Sequence, residues 1–446
     1  MKILVKRNVT AVVLAFSAAT AFAAGELDEA VLHGETDKER AIEYAPDEKM
    51  VFTLSLQGAK PFGEGEYYLD WVRSGDDGKT AKGREPLVYG KSFVYETALS
   101  KPGFVRLFAQ VSDKDGKTYI RERPVGKQLK TVAFDGGAGV QPEKLKGVPE
   151  PTDFDAYWHE LRRRLEVVSI RAERKRLPDR GNVAVYAMSI DCAGPRPVTG
   201  YLTMPKDAGK SKRYPARLTT EGYGYNPPHN PPIWVNGNEI VLGINAHGMK
   251  LPAFGADNAY YAALGEDIKS NGKAYAFDIV QNANRDTAYF NGMVLRVMRA
   301  LQYLKTLPEW DGKNLYASGG SQGGLQTIWA AGCGEGVTLA ESGITWCCDM
   351  GGTEFGRNRG SWFVRWTPAL GYYDPINVAR RIPNTCKVVV TRAGLGDYTC
   401  PPSGLAILWN NLTCPKKIRW VQGSTHGYVP TERHQEFVIE EDAREQ

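Results

Sequence analysis

The sequence predicts an α/β protein preceded by a smaller all-β domain, on three observations. From residue 183 onward short apolar strands alternate with amphipathic helices, the pattern of a mostly parallel sheet with helices on both faces. Before residue 135 the apolar runs are strand-length and separated by polar turns. At Leu315-Tyr316-Ala317-Ser318-Gly319-Gly320-Ser321-Gln322-Gly323-Gly324 an apolar strand runs into a glycine-flanked serine, and a helical stretch, Leu325 to Ala331, runs out. In that context G-x-S-x-G is a nucleophile elbow, a sharp strand-to-helix turn that lifts the serine oxygen clear of the sheet. Side chains at Gly319 and Gly323 would collide where strand and helix close on each other. The helix also aims its first N–H groups at the place where an oxyanion would form.

Taken in order, residues 1–23 read as a signal peptide: Lys2, Lys6 and Arg7 form a basic start, Val9 to Phe22 is apolar, and Ala21-Phe22-Ala23 is a cleavage site. The apolar run is shorter than the about 20 residues of a membrane span, so the chain reads as exported, periplasmic or secreted, with no membrane contact after cleavage. Residues 24–135 read as an antiparallel sandwich of immunoglobulin-like size. Its strands are Met50 to Leu56, Tyr67 to Val72, Phe93 to Tyr95, Phe104 to Val111 and, after the turn at Asp113 to Lys117, Thr118 to Ile120. No cluster of potential catalytic groups lies there, so packing against the second domain or shaping its mouth is its expected role, with carbohydrate binding the sharper alternative. Gly136-Gly137-Ala138-Gly139 and the proline-rich stretch to residue 150 read as a linker.

The domain over 151–446 opens with an amphipathic helix after Asp153, carrying Phe154, Tyr157, Trp158, Leu161 and Leu165 on one side. Strands follow at Ala184 to Ile190, Val198 to Met204, Ala216 to Thr220, Glu239 to Ile244 and Gly272 to Asp278. A long helix spans Tyr289 to Leu304, and late strands lie at Lys387 to Thr391 and Ile418 to Val421.

The full chain has 56 basic and 51 acidic residues, three of the basic ones in the leader, so the remainder is close to neutral and no nucleic-acid partner is expected. Arg162-Arg163-Arg164 is the solvated face of the first helix. All seven cysteines follow residue 190, so any disulfide belongs to the second domain, and the odd number leaves at least one thiol unpaired. No C-x-x-C pair or H-E-x-x-H occurs, and neither metal nor organic cofactor is expected.

A serine hydroxyl needs a base, and the base needs a group to orient it. Behind an elbow the order is serine, then acid, then histidine, each on a loop after a late strand. Two histidines follow Ser321. His426, in Gly423-Ser424-Thr425-His426-Gly427, comes just after the Ile418 to Val421 strand and is the expected base; His434 lies in what reads as a charged terminal helix. Asp397 follows the Lys387 to Thr391 strand and is the expected acid. Asp349 competes with it, and Asp374 reads as a helix or turn cap. Two oxyanion donors are expected: the Gln322 amide, and the Tyr223 amide in the turn Glu221-Gly222-Tyr223-Gly224.

These residues resemble the acetyl xylan esterase and cephalosporin-C deacetylase family of α/β-hydrolases over roughly residues 140–435. The resemblance rests on Pro151 to Trp158, Gly222-Tyr223-Gly224, the S-Q-G-G form of the elbow, Tyr373-Asp374, and Gly394-Leu395-Gly396-Asp397-Tyr398-Thr399-Cys400-Pro401-Pro402. It implies a triad of Ser321, Asp397 and His426, with the Tyr223 and Gln322 amides as oxyanion hole. Two departures stand out. The family's R-G-Q element is Asn245-Ala246-His247-Gly248-Met249, and the glutamate after the histidine is Gly427. Members form oligomers in some cases, so a homo-oligomer is an expectation too.

The reading is an exported serine esterase removing acetyl groups from acylated oligo- or polysaccharide of xylan type. Trp346, Trp362 and Trp366 are candidates for pocket lining, as is a loop from Ala253 to Leu264 over the site. Another acyl or peptide hydrolase on the same fold, or a non-catalytic glycan-binding protein, are the alternatives.

Overall fold

The computed structural model describes residues 25–443 apart from 126–128, 228 and 233–234. The leader at 1–23 lies outside the described residues. Among them, no helix is long and apolar enough to cross a membrane.

Among the described residues, nine strands form the first part: β1 (Val31–Thr36), β2 (Met50–Gln57), β3 (Tyr67–Gly75), β4 (Ala81–Pro86), β5 (Phe93–Thr97), β6 (Gly103–Asp113), β7 (Ile120–Val125), β8 (Leu129–Thr131) and β9 (Ala133–Val140). They make sheets of order β1-β2-β5 and β4-β3-β6-β9 and a small ribbon β7-β8, every pairing antiparallel. Alternation along β2 and β6 sends Phe52, Leu54, Leu107 and Val111 into a shared core with Leu69 and Phe134.

The glycine run expected to be linker is instead the second half of β9, paired with β6 from Gly103↔Val140 to Gln110↔Ala133. Its glycines serve close approach rather than freedom. A Cβ on Gly137 would fall 2.5 Å from the Val105 carbonyl oxygen and 2.9 Å from that of Leu395, and one on Gly136 2.3 Å from Gln422 Oε1. The sandwich thus rests directly on the second domain. Gln422 closes the join by accepting from the Gly137 N–H (2.8 Å) and donating back to its carbonyl (2.9 Å).

The second part begins with α1 (Phe154–Glu166) and is built on one ten-stranded sheet. Its strands are β10 (Ala172–Arg180), β11 (Val183–Ile190), β12 (Val198–Pro205), β13 (Tyr214–Thr220), β14 (Ile240–Ile244), β15 (Trp310–Gly320), β16 (Leu339–Gly343), β17 (Lys387–Gly394), β18 (Lys416–Val421) and β19 (Glu436–Glu441). The order is β10-β11-β12-β14-β13-β15-β16-β17-β18-β19. The centre from β14 to β18 is parallel, while β10 to β12 and β19 run antiparallel at the two ends. The helices are α2 (Asn258–Asp267), α3 (Ile279–Asn282), α4 (Tyr289–Thr306), α5 (Gln322–Gly332), α6 (Pro375–Val378) and α7 (Pro402–Asn411). Val294, Val297, Met298, Leu301 and Leu304 of α4 are fully buried in the core, each contributing roughly 1.5–3 kcal/mol of apolar burial.

Three other expectations are corrected. Gly272 to Asp278 is not a strand but a chain of turns in which Ala276 (φ 67°) takes left-handed backbone, as does Asn271 (φ 48°) just before it. Ala253 to Leu264 is largely helix α2, capped by the Asp257 carboxylate accepting from the Tyr260 N–H. The charged C-terminus forms edge strand β19, whose Lys387–Glu440 and Arg419–Glu436 pairs match charge across strands.

Candidate active site

β15 ends at Gly320, Ser321 forms the turn, and α5 starts at Gln322. The turn is strained: Ser321 has φ 57° and ψ −119°, a conformation costing on the order of 1–3 kcal/mol. It is held by hydrogen bonds of its own backbone groups. The Ser321 N–H donates to the Gly343 carbonyl (2.8 Å), and its carbonyl accepts from Leu325 N (3.0 Å) and Trp346 N (3.1 Å). The glycines are needed for contact, since a Cβ on Gly319 would lie 2.6 Å from Thr220 Oγ1 and one on Gly323 2.4 Å from the Thr220 carbonyl oxygen.

Asp397 and His426 stand on the loops after β17 and β18 and meet, with His426 Nδ1 3.1 Å from Asp397 Oδ2. Asp397 is fully buried. Its other oxygen, Oδ1, accepts from Thr399 N (3.0 Å) and Cys400 N (2.9 Å), which fixes the carboxylate plane. His426 is about one-third exposed. Cys400 Sγ lies 3.7 Å from the same Nδ1, packing a buried thiol against the Asp397–His426 pair. The Cys400 thiol is pushed well above its ordinary value by burial and by the Asp397 charge. All seven cysteines are free thiols.

The other acids are occupied elsewhere. Asp349 pairs with Arg357 and faces Arg359. Asp374 caps α6 through the Ile376 N–H and accepts from the amides of Asp349 and Met350; burial and the Asp349 charge push it up to about 7. His434 sits in the loop before β19, 2.8 Å from Glu436.

At the candidate oxyanion turn, Glu221 to Gly224, neither the Tyr223 nor the Gln322 amide has a protein acceptor among the described residues. The turn is tied down on several sides. Gly224 N donates to Tyr275 Oη (2.9 Å), which donates in turn to Gln322 Oε1 (2.9 Å), linking turn to elbow. Tyr223 Oη donates to the Tyr275 carbonyl (2.9 Å), and the two rings stack 4.1 Å apart.

His247, the residue that departs from the family element, completes the tie. Its Nε2 is 2.8 Å from the Gly224 carbonyl and its Nδ1 2.8 Å from Tyr289 Oη. The Gly224 carbonyl can only accept, so Nε2 carries a proton, and in the neutral ring Nδ1 accepts from the Tyr289 hydroxyl. Burial, with Arg296 and Arg196 nearby, holds His247 down at about 4. Its role was not foreseen; the signal was the substitution itself. We expect His247→Ala to lower kcat about tenfold at little cost in KM, through a loosened Tyr223 amide. His247→Gln, which keeps a donor toward Gly224, restores most of it, as steady-state kinetics would show. The unfolded chain takes up this proton near 6.5 and the folded one only near 4. The corresponding stability is therefore complete above about pH 6.5 and drains away down to about 4, a dependence the Gln variant lacks in thermal unfolding.

Of the three tryptophans, Trp346 is buried core and Trp366 is partly buried against it. Trp362 is 38 % exposed and packs edge-on to Tyr223 (4.6 Å between ring centroids), with Phe277 at 5.2 Å and Trp346 at 5.5 Å. It opens an aromatic wall to solvent beside the oxyanion turn.

A parallel sheet with the serine at a strand-to-helix elbow and acid and histidine after later strands is the α/β-hydrolase arrangement. The fold is shared with an acetyl xylan esterase from Paenibacillus sp. R4 (23 % identity, TM-score 0.53). It is shared also with acetyl xylan esterase 1 from Thermoanaerobacterium sp. JW/SL YS485 (19 % identity, TM-score 0.51). Each similarity covers 64 % of this chain, with 93 % and 92 % of those chains. The acetyl xylan esterase (AXE1) family model matches residues 143–350 and 364–440. The acetyl esterase Axe7A of Xylanibacter ruminicola is 30 % identical over 355 residues, 76 % of this chain and 74 % of that protein. The chain belongs to the acetyl xylan esterase family and is a carboxylic-ester hydrolase. The family match leaves out the whole sandwich, which ends at Val140, and the stretch 351–363 that carries Trp362.

Proposed function

We propose that the protein is an exported serine esterase that removes acetyl groups from acetylated xylan-type oligo- or polysaccharide through an acetyl-enzyme. The reading is carried by the 3.1 Å contact between His426 Nδ1 and the buried Asp397 carboxylate, on the loops after β17 and β18, parallel strands of the sheet whose β15 ends at the Ser321 elbow. In it, Ser321 Oγ attacks the ester carbonyl while His426 Nε2 takes its proton. The negative oxygen of the tetrahedral intermediate is met by the Tyr223 and Gln322 N–H groups, each of the order of 10²–10³ in rate for such donors. His426 returns the proton to the leaving sugar hydroxyl, leaving Ser321 acetylated. A water deprotonated by His426 then releases acetate and regenerates the serine. Asp397 holds the imidazole in the tautomer with Nδ1–H and stabilises the imidazolium while remaining ionised. The basic start, apolar run and A-x-A site of residues 1–23 support export.

Trp362 supports the glycan side of this reading, because an exposed indole beside the site offers an apolar face to a sugar ring. Hydrolysis of acetylated xylo-oligosaccharide and of p-nitrophenyl acetate by Trp362→Ala tests it. The ratio of the two kcat/KM values should fall about tenfold, the equivalent of roughly 1.4 kcal/mol of stacking. An unchanged ratio would remove Trp362 from glycan recognition.

A further inference from the structure

The sandwich touches the second domain at the loops that carry the acid and the base. Gly396, next to Asp397, lies flush on β9: a Cβ there would fall 1.9 Å from the Asp135 carbonyl oxygen. Asp135 is gripped by Arg106 of β6 through two hydrogen bonds, Nε to Oδ1 at 2.7 Å and Nη2 to Oδ2 at 2.6 Å. The guanidinium of Arg106 also lies 4.6 Å above the ring of Tyr398, the residue on the other side of Asp397. On either side of the acid, Gly396 thus packs against the Asp135 backbone and Tyr398 against the Arg106 guanidinium. Four residues ahead of His426, Gln422 is clamped to Gly137 of β9.

We propose that Arg106 and Asp135 are positioning residues for Asp397, and that the sandwich is in this way a working part of the active site. The proposal rests on the reading of Asp397 as the triad acid. The pair does two things. Stacking and close packing fix the 395–398 loop, and the paired charges leave the acid beside a neutral rather than a negative neighbour. The side chains of Arg106 and Asp135 are only 27 % and 12 % exposed, so solvent screens them little. Burial pushes the Asp135 carboxyl above its ordinary value, the Arg106 guanidinium opposes this, and the Asp397 charge adds to it. The other groups facing the acid are Arg392 of β17, whose Nη2 donates to the His426 carbonyl (3.0 Å), and the Cys400 thiol. Neither comes from the sandwich, so the pair's contribution is separable.

The test is the pH profile of kcat/KM for p-nitrophenyl acetate in the full chain. Arg106→Ala leaves an uncompensated carboxylate beside the triad, favours the imidazolium of His426, and moves the acidic limb up by about half a pH unit. Asp135→Asn leaves the guanidinium alone and moves the limb down by a similar amount. Arg106→Ala also lowers kcat about tenfold or more with KM within about threefold. Arg106→Lys recovers part of this, and the double variant Arg106→Ala/Asp135→Asn returns the limb toward its original position. A support without a role at the acid would change the thermal midpoint and leave the limb in place. Should Arg106→Ala fail to fold, Asp135→Asn and Arg106→Lys still carry the comparison. Unmoved acidic limbs with kcat within about twofold in folded variants would overturn the proposal. Ser321→Ala is assayed alongside: turnover surviving there would overturn the triad reading, independently of the limb positions.

Discussion

Ser321→Ala is expected to lower kcat for p-nitrophenyl acetate by about 10⁵-fold, close to the loss of the whole proposed triad, because three such groups act as one unit. The structural cost is small. Ser321 is held by its backbone bonds to Gly343, Leu325 and Trp346, which alanine keeps. Its strained φ of 57° is unfavourable for either residue. The thermal midpoint therefore stays within a few degrees, and substrate binding persists. Steady-state kinetics beside thermal unfolding checks both halves. A loss below about tenfold would mean that another group attacks the ester.

Asp397→Asn is the second large effect, of the order of 10⁴ in kcat. Asparagine keeps the shape, and its carbonyl oxygen still accepts from the amides of Thr399 and Cys400. That fixes the NH₂ toward His426 Nδ1, where the carboxylate oxygen now lies at 3.1 Å. A donor there forces the imidazole to carry its proton on Nε2, the atom that has to accept from Ser321. The base is present and in place but in the wrong tautomer. Asparagine keeps the two amide hydrogen bonds of the carboxyl site, so the chain is expected to stay folded at neutral pH, which thermal unfolding checks. Turnover near wild type in this variant would assign the orienting role to another acid.

The candidate site was legible in the sequence to the extent that chain order encodes it. An elbow fixes where the serine sits, and an acid and a histidine each following a late apolar strand fall at the same edge of a parallel sheet. Ser321, Asp397 and His426 could be picked out for that reason. Asp349 is paired with Arg357, and His434 contacts Glu436 through Nε2. What local pattern could not carry was contact between distant segments. Gly136 and Gly137 read as flexible linker, since glycine in a sequence looks the same whether it frees a chain or lets two chains meet. Here the backbones of Val105 and Leu395 crowd Gly137 from two sides. The tie of His247 to Gly224 joins residues that follow different strands, and appeared in the sequence only as a departure from a family element. The edge strand β10, exposed along nearly its whole length, has no apolar alternation to reveal it. Gly272 to Asp278 has β-forming residues but is diverted into turns by the left-handed Ala276, beside the Tyr275 that joins the oxyanion turn to the elbow.

The central claim is that Ser321 is the nucleophile, and a covalent probe tests it most directly. The protein is treated with diethyl p-nitrophenyl phosphate, which phosphorylates an activated serine irreversibly, and the adduct is located by peptide mass spectrometry. One diethylphosphoryl group per chain, on Ser321, appearing in step with loss of esterase activity, is the predicted result. Its absence from Ser321 while activity is lost, or a full-strength adduct on another residue, would contradict the account.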